Sequence, residues 1–198
     1  MRYLIILLLC ASAVLFSCSE EKKQPAAPVQ EQKSDVELLR ERIQKNPQDA
    51  DAWFHLSDLY ERANMYQEEV DALKKVTAIK PDMGYAHFKL GTTYNRLGRY
   101  QDAVQSFTKA TKYVQNQPMV YNNMAFSYGQ LGKTDEEIAA LKKAISMRPS
   151  YSLAHFNLGM AFLKKGDREE ALKQYDFLKK LDEGAAKALK KEIDNKRK

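Results

Sequence analysis

The chain has 198 residues, of which 44% are hydrophobic and 29% charged, and its formal net charge is +6. This length accommodates one domain, or a short array of repeats with terminal tails. Its two cysteines, Cys10 and Cys18, both precede residue 19, which excludes a disulfide framework and a cysteine metal site in the rest of the chain.

The N-terminus has the features of an export signal. Arg2 precedes an uncharged, largely apolar run over residues 3–17, which is short for a membrane span but suits the apolar core of a signal peptide. The run ends in the letters LFSC, and this resembles the lipobox of bacterial lipoproteins. The resemblance implies that residues 1–17 form a lipoprotein signal peptide and that Cys18 carries the lipid. A secretory signal cleaved elsewhere and an uncleaved anchor helix are the alternatives.

Residues 18–33 are typical of a disordered tether, since Pro, Gln, Ala and charged side chains leave almost nothing to bury. A lipid on Cys18 would hold the folded part near a membrane, which predicts a membrane-anchored lipoprotein of the bacterial cell envelope that faces the periplasm. Ser19 favours the outer over the inner membrane by analogy with enteric lipoproteins. Nucleic acid is not an expected partner of an exported protein. The positive charge is concentrated after Ala185, where it suits a solubilising helix, or a contact with anionic lipid or an acidic partner.

The remainder of the sequence is periodic. AHFKLG at residues 86–91 returns as AHFNLG at residues 154–159, and cuts at residues 50, 84, 118 and 152 align four units of 34 residues without insertions. The agreement is clearest at position 4 (Trp53, His87, Tyr121, His155), position 7 (Leu56, Leu90, Met124, Leu158), position 8 (Ser57, Gly91, Ala125, Gly159) and position 11 (Tyr60, Tyr94, Tyr128, Phe162). This spacing predicts an amphipathic helix in the first half of each unit, and positions 24 and 27 predict another in the second half.

The pattern resembles the tetratricopeptide repeat, in which W-x2-L-G-x2-Y is followed by Ala, Phe and Pro at set distances. The resemblance covers nearly all of residues 50–185. It implies an all-α fold, a right-handed α-solenoid of four helical hairpins in repeats 50–83, 84–117, 118–151 and 152–185. The sequence departs from the family pattern at Glu69 and Glu137, where Ala is usual, and at His87 and His155, where Trp is usual.

Both ends of the array are expected to carry covering helices within a folded domain of residues 34–198. Residues 34–46 are predicted to form the second helix of a degenerate half-repeat. This helix is expected to begin with a capping box of Ser34 and Glu37. Residues 185–198 predict a capping helix with a basic tail.

Local signals within the repeats predict turns, caps and close contacts. Gly98, Gly132 and Gly166 predict left-handed helix ends. Capping boxes are expected from the pairs Thr134 with Glu137 and Asp167 with Glu170. Gly91 and Gly159 are expected where the two helices of a hairpin approach most closely.

Residues that could carry chemistry are sparse. His87 and His155 lie two repeats apart, roughly 20 Å if adjacent helices are about 10 Å apart, and one metal ion does not span that distance. His55 has no partner at ligand spacing, and no nucleophile motif or phosphate-binding glycine loop is present. We therefore expect structural histidines, no metal, no cofactor and no enzymatic activity.

The family resemblance implies a concave groove formed by the first helices, chiefly at positions 2, 5, 9 and 12. The side chains expected there are Phe54, Asp58, Tyr85, Phe88, Thr92, Met119, Asn122, Phe126, Leu153, Phe156 and Met160. We expect Phe88, Phe126 and Phe156 to anchor a peptide or helix of a partner protein. Alternatively, part of this stripe fills space between neighbouring helices. Phe54 and Asp58 stand where Lys and Asn clamp a C-terminal carboxylate in cytosolic family members, so that ligand is disfavoured.

The sequence thus favours a monomeric adaptor or scaffold that binds a peptide segment and assembles or positions a complex. A self-associating structural protein is one alternative. Another is a factor that holds unfolded apocytochrome, because NPQDADAWFHLSDLYER resembles repeats of cytochrome c maturation proteins.

Overall fold

Helices follow one another throughout residues 34–195, the part of the chain that the computed structural model describes. They are α1 (Asp35–Lys45), α2 (Ala50–Arg62), α3 (Tyr66–Ile79), α4 (Gly84–Arg96), α5 (Tyr100–Tyr113), α6 (Pro118–Gln130), α7 (Thr134–Met147), α8 (Ser152–Lys165), α9 (Arg168–Leu181) and α10 (Glu183–Asn195). No strand occurs in this range, and the predicted all-α fold is confirmed. The predicted signal peptide, Cys18 and tether lie outside the described residues.

The helices form a solenoid of hairpins. Within each repeat the first helix packs on the second, as in α2 with α3 or α8 with α9, and each second helix also packs on the first helix of the next repeat. The predicted left-handed turns are confirmed at Gly98, Gly132 and Gly166, whose φ angles are 71°, 74° and 89°. Asn64 takes the equivalent place in the first repeat with φ 57°.

The core consists of buried side chains from the helix faces that the periodicity predicts. One cluster joins the first two repeats and includes Leu73, Leu90 and Phe107. The other joins the last two repeats with α10 and includes Leu141. Met124 packs against both clusters, so the apolar interior continues from one end of the array to the other.

A hydrogen bond repeated at position 4 explains why the AHF segment occurs twice. A ring N–H donates to the carbonyl of the proline six residues earlier, in the pairs Trp53 Nε1 with Pro47 (3.1 Å), His87 Nε2 with Pro81 (2.9 Å) and His155 Nε2 with Pro149 (2.9 Å). Because a carbonyl oxygen only accepts, these ring nitrogens carry the hydrogen. Where Tyr121 occupies position 4, the proline is replaced by Gln115. A ring N–H at position 4 thus occurs only where a proline precedes it by six residues, and the third repeat lacks both.

The two glycines at position 8 lie at close helix contacts, but with different partners. A Cβ at Gly91 would lie 2.6 Å from the Phe107 ring of the paired helix α5, as predicted. A Cβ at Gly159 would lie 2.5 Å from Leu189 of α10. The prediction that Gly159 faces its paired helix is wrong in this respect, because α10 packs against α8 as well as α9.

Helix caps follow the sequence only in part. The Ser34–Glu37 capping box is confirmed, and Asp167 accepts a hydrogen bond from the Glu170 amide at 3.1 Å. The Glu170 carboxylate pairs with Lys173 instead of completing a box. The box at Thr134 is wrong, because Thr134 is the first residue of α7 and no side chain caps that helix.

The two ends of the array are covered to different extents. At the C-terminal end, α10 buries Ala186, Leu189 and Ile193 completely or nearly so. At the N-terminal end, α1 has no buried residue, and Leu38 is half exposed beside a cleft of about 370 Å³ between α1 and α2.

Candidate functional site

The first helices α2, α4, α6 and α8 lie side by side and are joined by polar contacts between neighbours. Lys89 of α4 donates to Asp58 of α2 at 2.6 Å. Asn95 of α4 accepts from the Ser127 hydroxyl of α6 at 2.7 Å. Asn157 of α8 donates to Asn122 of α6 at 3.0 Å. These bonds align the repeat positions of the four helices, so equivalent side chains form rows across them.

The stripe predicted from the sequence, which we call the groove stripe, has residues of three degrees of exposure. Tyr85, Met119, Phe126 and Leu153 are exposed by 56%, 46%, 48% and 49%. Phe54, Asp58, Phe88, Thr92, Phe156 and Met160 are half-buried. Asn122 is buried and bonded to Asn157, so its side chain serves the contact between α6 and α8. Accessible apolar surface on the stripe is concentrated in the second to fourth repeats.

Aromatic rings form a continuous line over the first half of the stripe. The ring of Phe54 lies 6.0 Å from that of Tyr85, Tyr85 lies 6.1 Å from Phe88, and Phe88 lies 6.0 Å from the buried Phe107. These separations fall within the range of favourable tilted ring pairs. Since Phe88 touches the core and Tyr85 reaches solvent, the line connects the interior with the accessible surface.

A small cavity of about 160 Å³ lies beside the exposed ring of Phe126. Phe126 and Met160 form apolar parts of its lining, and Glu137 and Lys164 add charge. The Lys164 ammonium donates to the carbonyl of Gly129 at 2.7 Å and lies 3.4 Å from the Glu137 carboxylate. Burial raises the pKa of Glu137, and Lys164 only partly offsets this effect.

Two carboxylates of the first repeat, Asp58 and Glu61, form ion pairs with side chains of the second repeat. Lys89 lies 2.6 Å from carboxylate oxygens of both Asp58 and Glu61, and Arg96 lies 2.7 Å from Glu61. Burial opposes the charge of Lys89, but its hydrogen bonds to Asp58 and Glu61 outweigh burial, and its pKa is raised. The hydrogen bond with Lys89 lowers the pKa of Glu61. Asp58 is therefore already paired and offers little net charge to a ligand.

A buried carboxylate adjoins this network and was not foreseen from the sequence. Glu69 is 1% exposed, its Oε1 lies 3.8 Å from Lys89 Nζ, and its Oε2 has no hydrogen-bond partner. Burial raises the pKa of Glu69, and a hydrogen bond with Thr93 partly offsets it. The available signal was the charge at repeat position 20, where the family pattern has Ala.

His87 and His155 contribute to the contacts between successive repeats. Both rings are buried and hydrogen-bonded to proline carbonyls, and His155 Nδ1 also lies 2.8 Å from the side-chain amide of Gln174. Among the described residues, no three His, Cys, Asp or Glu side chains converge as a metal site requires. Nor does any helix in residues 34–195 have the length and apolarity to cross a bilayer. Cys18, the predicted lipidation site, lies outside that range.

Comparisons with known proteins agree with the repeat register. Profiles described as tetratricopeptide repeat match residues 36–84 and 123–186, and another matches residues 85–114. No curated protein matches the sequence.

Solved structures share the fold. The crystal structure of MamA is 22% identical, with a TM-score of 0.72 over 77% of this chain and 89% of that one. MamA from Desulfovibrio magneticus RS-1 is 18% identical, with a TM-score of 0.70 over 75% of this chain and 84% of that one. YrrB, described as a TPR protein with an unusual peptide-binding site, is 20% identical, with a TM-score of 0.65 over 81% of this chain and 87% of that one.

Proposed function

The chain belongs to the tetratricopeptide repeat family, and we propose that it acts as a lipid-anchored adaptor of the bacterial cell envelope. In this role it binds a peptide or helical segment of a partner protein on the groove stripe and so helps assemble or position a complex. The peptide-binding site described for YrrB, which has the same fold, supports this kind of role. The export signal predicted from residues 1–17, followed by Cys18, supports the location.

One observation carries the proposal. Tyr85, Met119, Phe126 and Leu153 expose roughly half of their surface on three successive first helices. Half-buried Phe88 and Phe156 lie between them along the same stripe. Exposed apolar side chains in contiguous rows on a soluble surface mark binding sites, whereas single ones need no explanation.

The spacing of these side chains sets the form of the ligand. Adjacent first helices lie about 8–10 Å apart, so one anchor per repeat matches residues i and i+3 of an extended peptide or i and i+7 of a helix. Asp58 and Glu61 of the first repeat are paired with Lys89 and Arg96, so we expect apolar contacts to dominate recognition on the stripe. We expect a partner segment with two or three apolar side chains at one of these spacings.

Photo-crosslinking in the cell tests the proposal. A crosslinkable residue replaces the exposed Phe126, and a matched control replaces Met65, which is 39% exposed at the start of α3, away from the stripe. The segment captured at 126 is then synthesised and titrated against the purified protein. We expect Phe126→Ala with Leu153→Ala to weaken its affinity by about tenfold or more, and Met65→Ala to leave it unchanged.

The outcomes separate the candidate roles. Unchanged affinity of the Phe126→Ala, Leu153→Ala protein would remove the groove stripe from the mechanism. A captured segment with the pattern Cys-x-x-Cys-His would identify the ligand as apocytochrome. Capture of a second copy would favour self-association, for which the open cleft beside Leu38 is the supporting observation. Sedimentation at increasing concentration would then show a larger species.

A further inference from the structure

One edge of the solenoid combines features that the other lacks. Each second helix ends, and the next first helix begins, at the same edge, because successive helices run antiparallel and are joined by short loops. We define the lysine edge as the last five residues of the second helices, 75–79, 109–113, 143–147 and 177–181. The opposite edge contains the glycine turns and the first residues of the second helices.

The lysine edge has cations and no acidic residue. Its lysines are Lys75, Lys109, Lys112, Lys143, Lys179 and Lys180, all exposed. Lys179 pairs with Asp176, and the other five form no ion pair with any described residue. At the other end of the same helices, the first turns are acidic. Charge is thus separated across the width of the array.

Carboxylates in the adjoining loops and first helical turns do not cancel these cations, because they are engaged elsewhere. Asp51 pairs with Lys80 at 2.8 Å, and Glu183 pairs with Lys187 at 2.7 Å. Asp182 caps α10 by accepting from the Ala185 amide at 2.9 Å. Asp82 faces Lys80 and contributes to raising the pKa of that lysine.

Large apolar side chains project among the lysines. Tyr113, Phe177 and Leu181 are exposed by 48%, 57% and 43%. At the opposite edge, the described residues include one comparable side chain, Met65. The helix dipole favours a cation in each last turn. Tyr113 and Phe177 each stack one ring face on a histidine, with centroid distances of 6.2 Å to His87 and 5.3 Å to His155. About half of each side chain remains exposed beside the cations.

From this arrangement we propose that the lysine edge docks on the surface of an anionic phospholipid membrane. Ammonium groups on flexible stems suit lipid phosphates, and exposed aromatic and aliphatic tips enter the zone below the headgroups. A bilayer also offers a broad surface, which matches cations distributed over the four second helices. Tyr85, Met119 and Leu153 lie in the first turns of their helices at this same edge, whereas Phe126 lies further along α6. Docking therefore leaves the part of the groove stripe around Phe126 available to a partner.

Tryptophan fluorescence in vesicles tests the proposal with the full chain. The native Trp53 is first replaced by His, which occupies the same repeat position as His87 and His155 and keeps a ring N–H donor. Phe177→Trp then supplies the probe, and Met65→Trp supplies the matched probe at the opposite edge. Each protein is mixed with phosphatidylcholine vesicles with or without phosphatidylglycerol, containing lipids brominated on their acyl chains as quenchers.

We expect Trp at 177 to shift to the blue and to be quenched only when phosphatidylglycerol is present, and Trp at 65 to be unaffected. The double substitution Lys109→Glu, Lys143→Glu should raise the lipid concentration needed for half-maximal quenching by about tenfold or more. Arg62→Glu with Lys133→Glu makes the same change in net charge at the opposite edge and should have little effect.

Equal quenching of the Trp at 65 and the Trp at 177 would overturn the proposal. Quenching at 177 that is the same with and without phosphatidylglycerol would also overturn it. So would binding of an oligonucleotide or an acidic polypeptide without any lipid quenching at 177, since the edge would then be a site for soluble polyanions. Partner binding on the groove stripe is tested separately by Phe126→Ala, because Phe126 lies in the second half of α6 and not at the lysine edge.

Discussion

Replacing Gly91 by Ala should destabilise the protein although Ala is the better helix former. Gly91 lies inside α4, and an added Cβ would lie 2.6, 2.7 and 2.9 Å from three atoms of the Phe107 ring. Carbon atoms in contact are about 3.5–4.0 Å apart, so three ring atoms must move by about 1 Å. Phe107 is 0% exposed and touches Phe88, so the ring has no free space to enter.

The magnitude follows from two opposing effects. Helix propensity favours Ala over Gly by about 1 kcal/mol. Overpacking of a rigid core costs about 1–3 kcal/mol, and contact with three ring atoms belongs at the upper end of that range. We therefore expect Gly91→Ala to lower the free energy of unfolding by about 1–2 kcal/mol. Urea denaturation followed by far-UV circular dichroism measures the difference.

Gly129→Ala is the matched control. Gly129 also lies in a first helix, but its added Cβ would meet the end of the flexible Glu137 side chain, at 2.8 Å from a carboxylate oxygen. This side chain can shift at the cost of its contact with Lys164, and the helix propensity of Ala offsets that cost, so Gly129→Ala should be close to neutral. In a Phe107→Leu background, the cost of Gly91→Ala should fall. A Gly91→Ala protein as stable as the parent would refute a close contact between α4 and α5.

Three further predictions address other features. His155→Phe leaves the Pro149 carbonyl without its donor and should cost about 1–3 kcal/mol in urea unfolding, whereas Tyr121→Phe at the same repeat position should cost little. Glu69→Gln should stabilise the protein at neutral pH, because burial raises the pKa of Glu69 above its ordinary value of 4.5 and so disfavours the buried carboxylate. The gain in unfolding free energy should vanish below pH 4.5, where the carboxyl of the parent protein is neutral in both the folded and the unfolded state. A gain that persists at that low pH would contradict burial as the cause. Cys18→Ser should abolish labelling of the protein by a radioactive or clickable fatty acid, and labelling that persists would contradict lipidation at Cys18.

Much of the fold could be predicted because its signals are local or strictly repeated. The first helices begin at residues 50, 84, 118 and 152, where the repeat register places them. Gly98, Gly132 and Gly166 adopt positive φ because a residue without Cβ enters that region at little cost. The sequence contains a proline six residues before each of Trp53, His87 and His155. That spacing does not by itself predict the hydrogen bond from the ring N–H to the proline carbonyl, which the folded structure shows.

Predictions were wrong or incomplete where a side chain has a choice of partners. Thr134 does not cap α7, and the Glu137 carboxylate lies instead beside Lys164 of the following repeat. Asp58 was expected in the groove, and the structure adds that it pairs with Lys89 of the next repeat. Asn122 was placed in the same stripe and is buried against α8 through Asn157.

By itself, the sequence determined the all-α repeat architecture, the length of each unit and the faces that are buried, because helix periodicity acts over a few residues and the same unit recurs four times. The tertiary structure decided which side chains at equivalent positions remain accessible. At position 5, Asn122 is buried, whereas Phe54, Phe88 and Phe156 are half-buried. The difference depends on neighbours about one repeat away in the sequence, as in Lys89 with Asp58 and Asn157 with Asn122. Only the stacking of hairpins brings such residues together, and no local periodicity encodes which of them will pair.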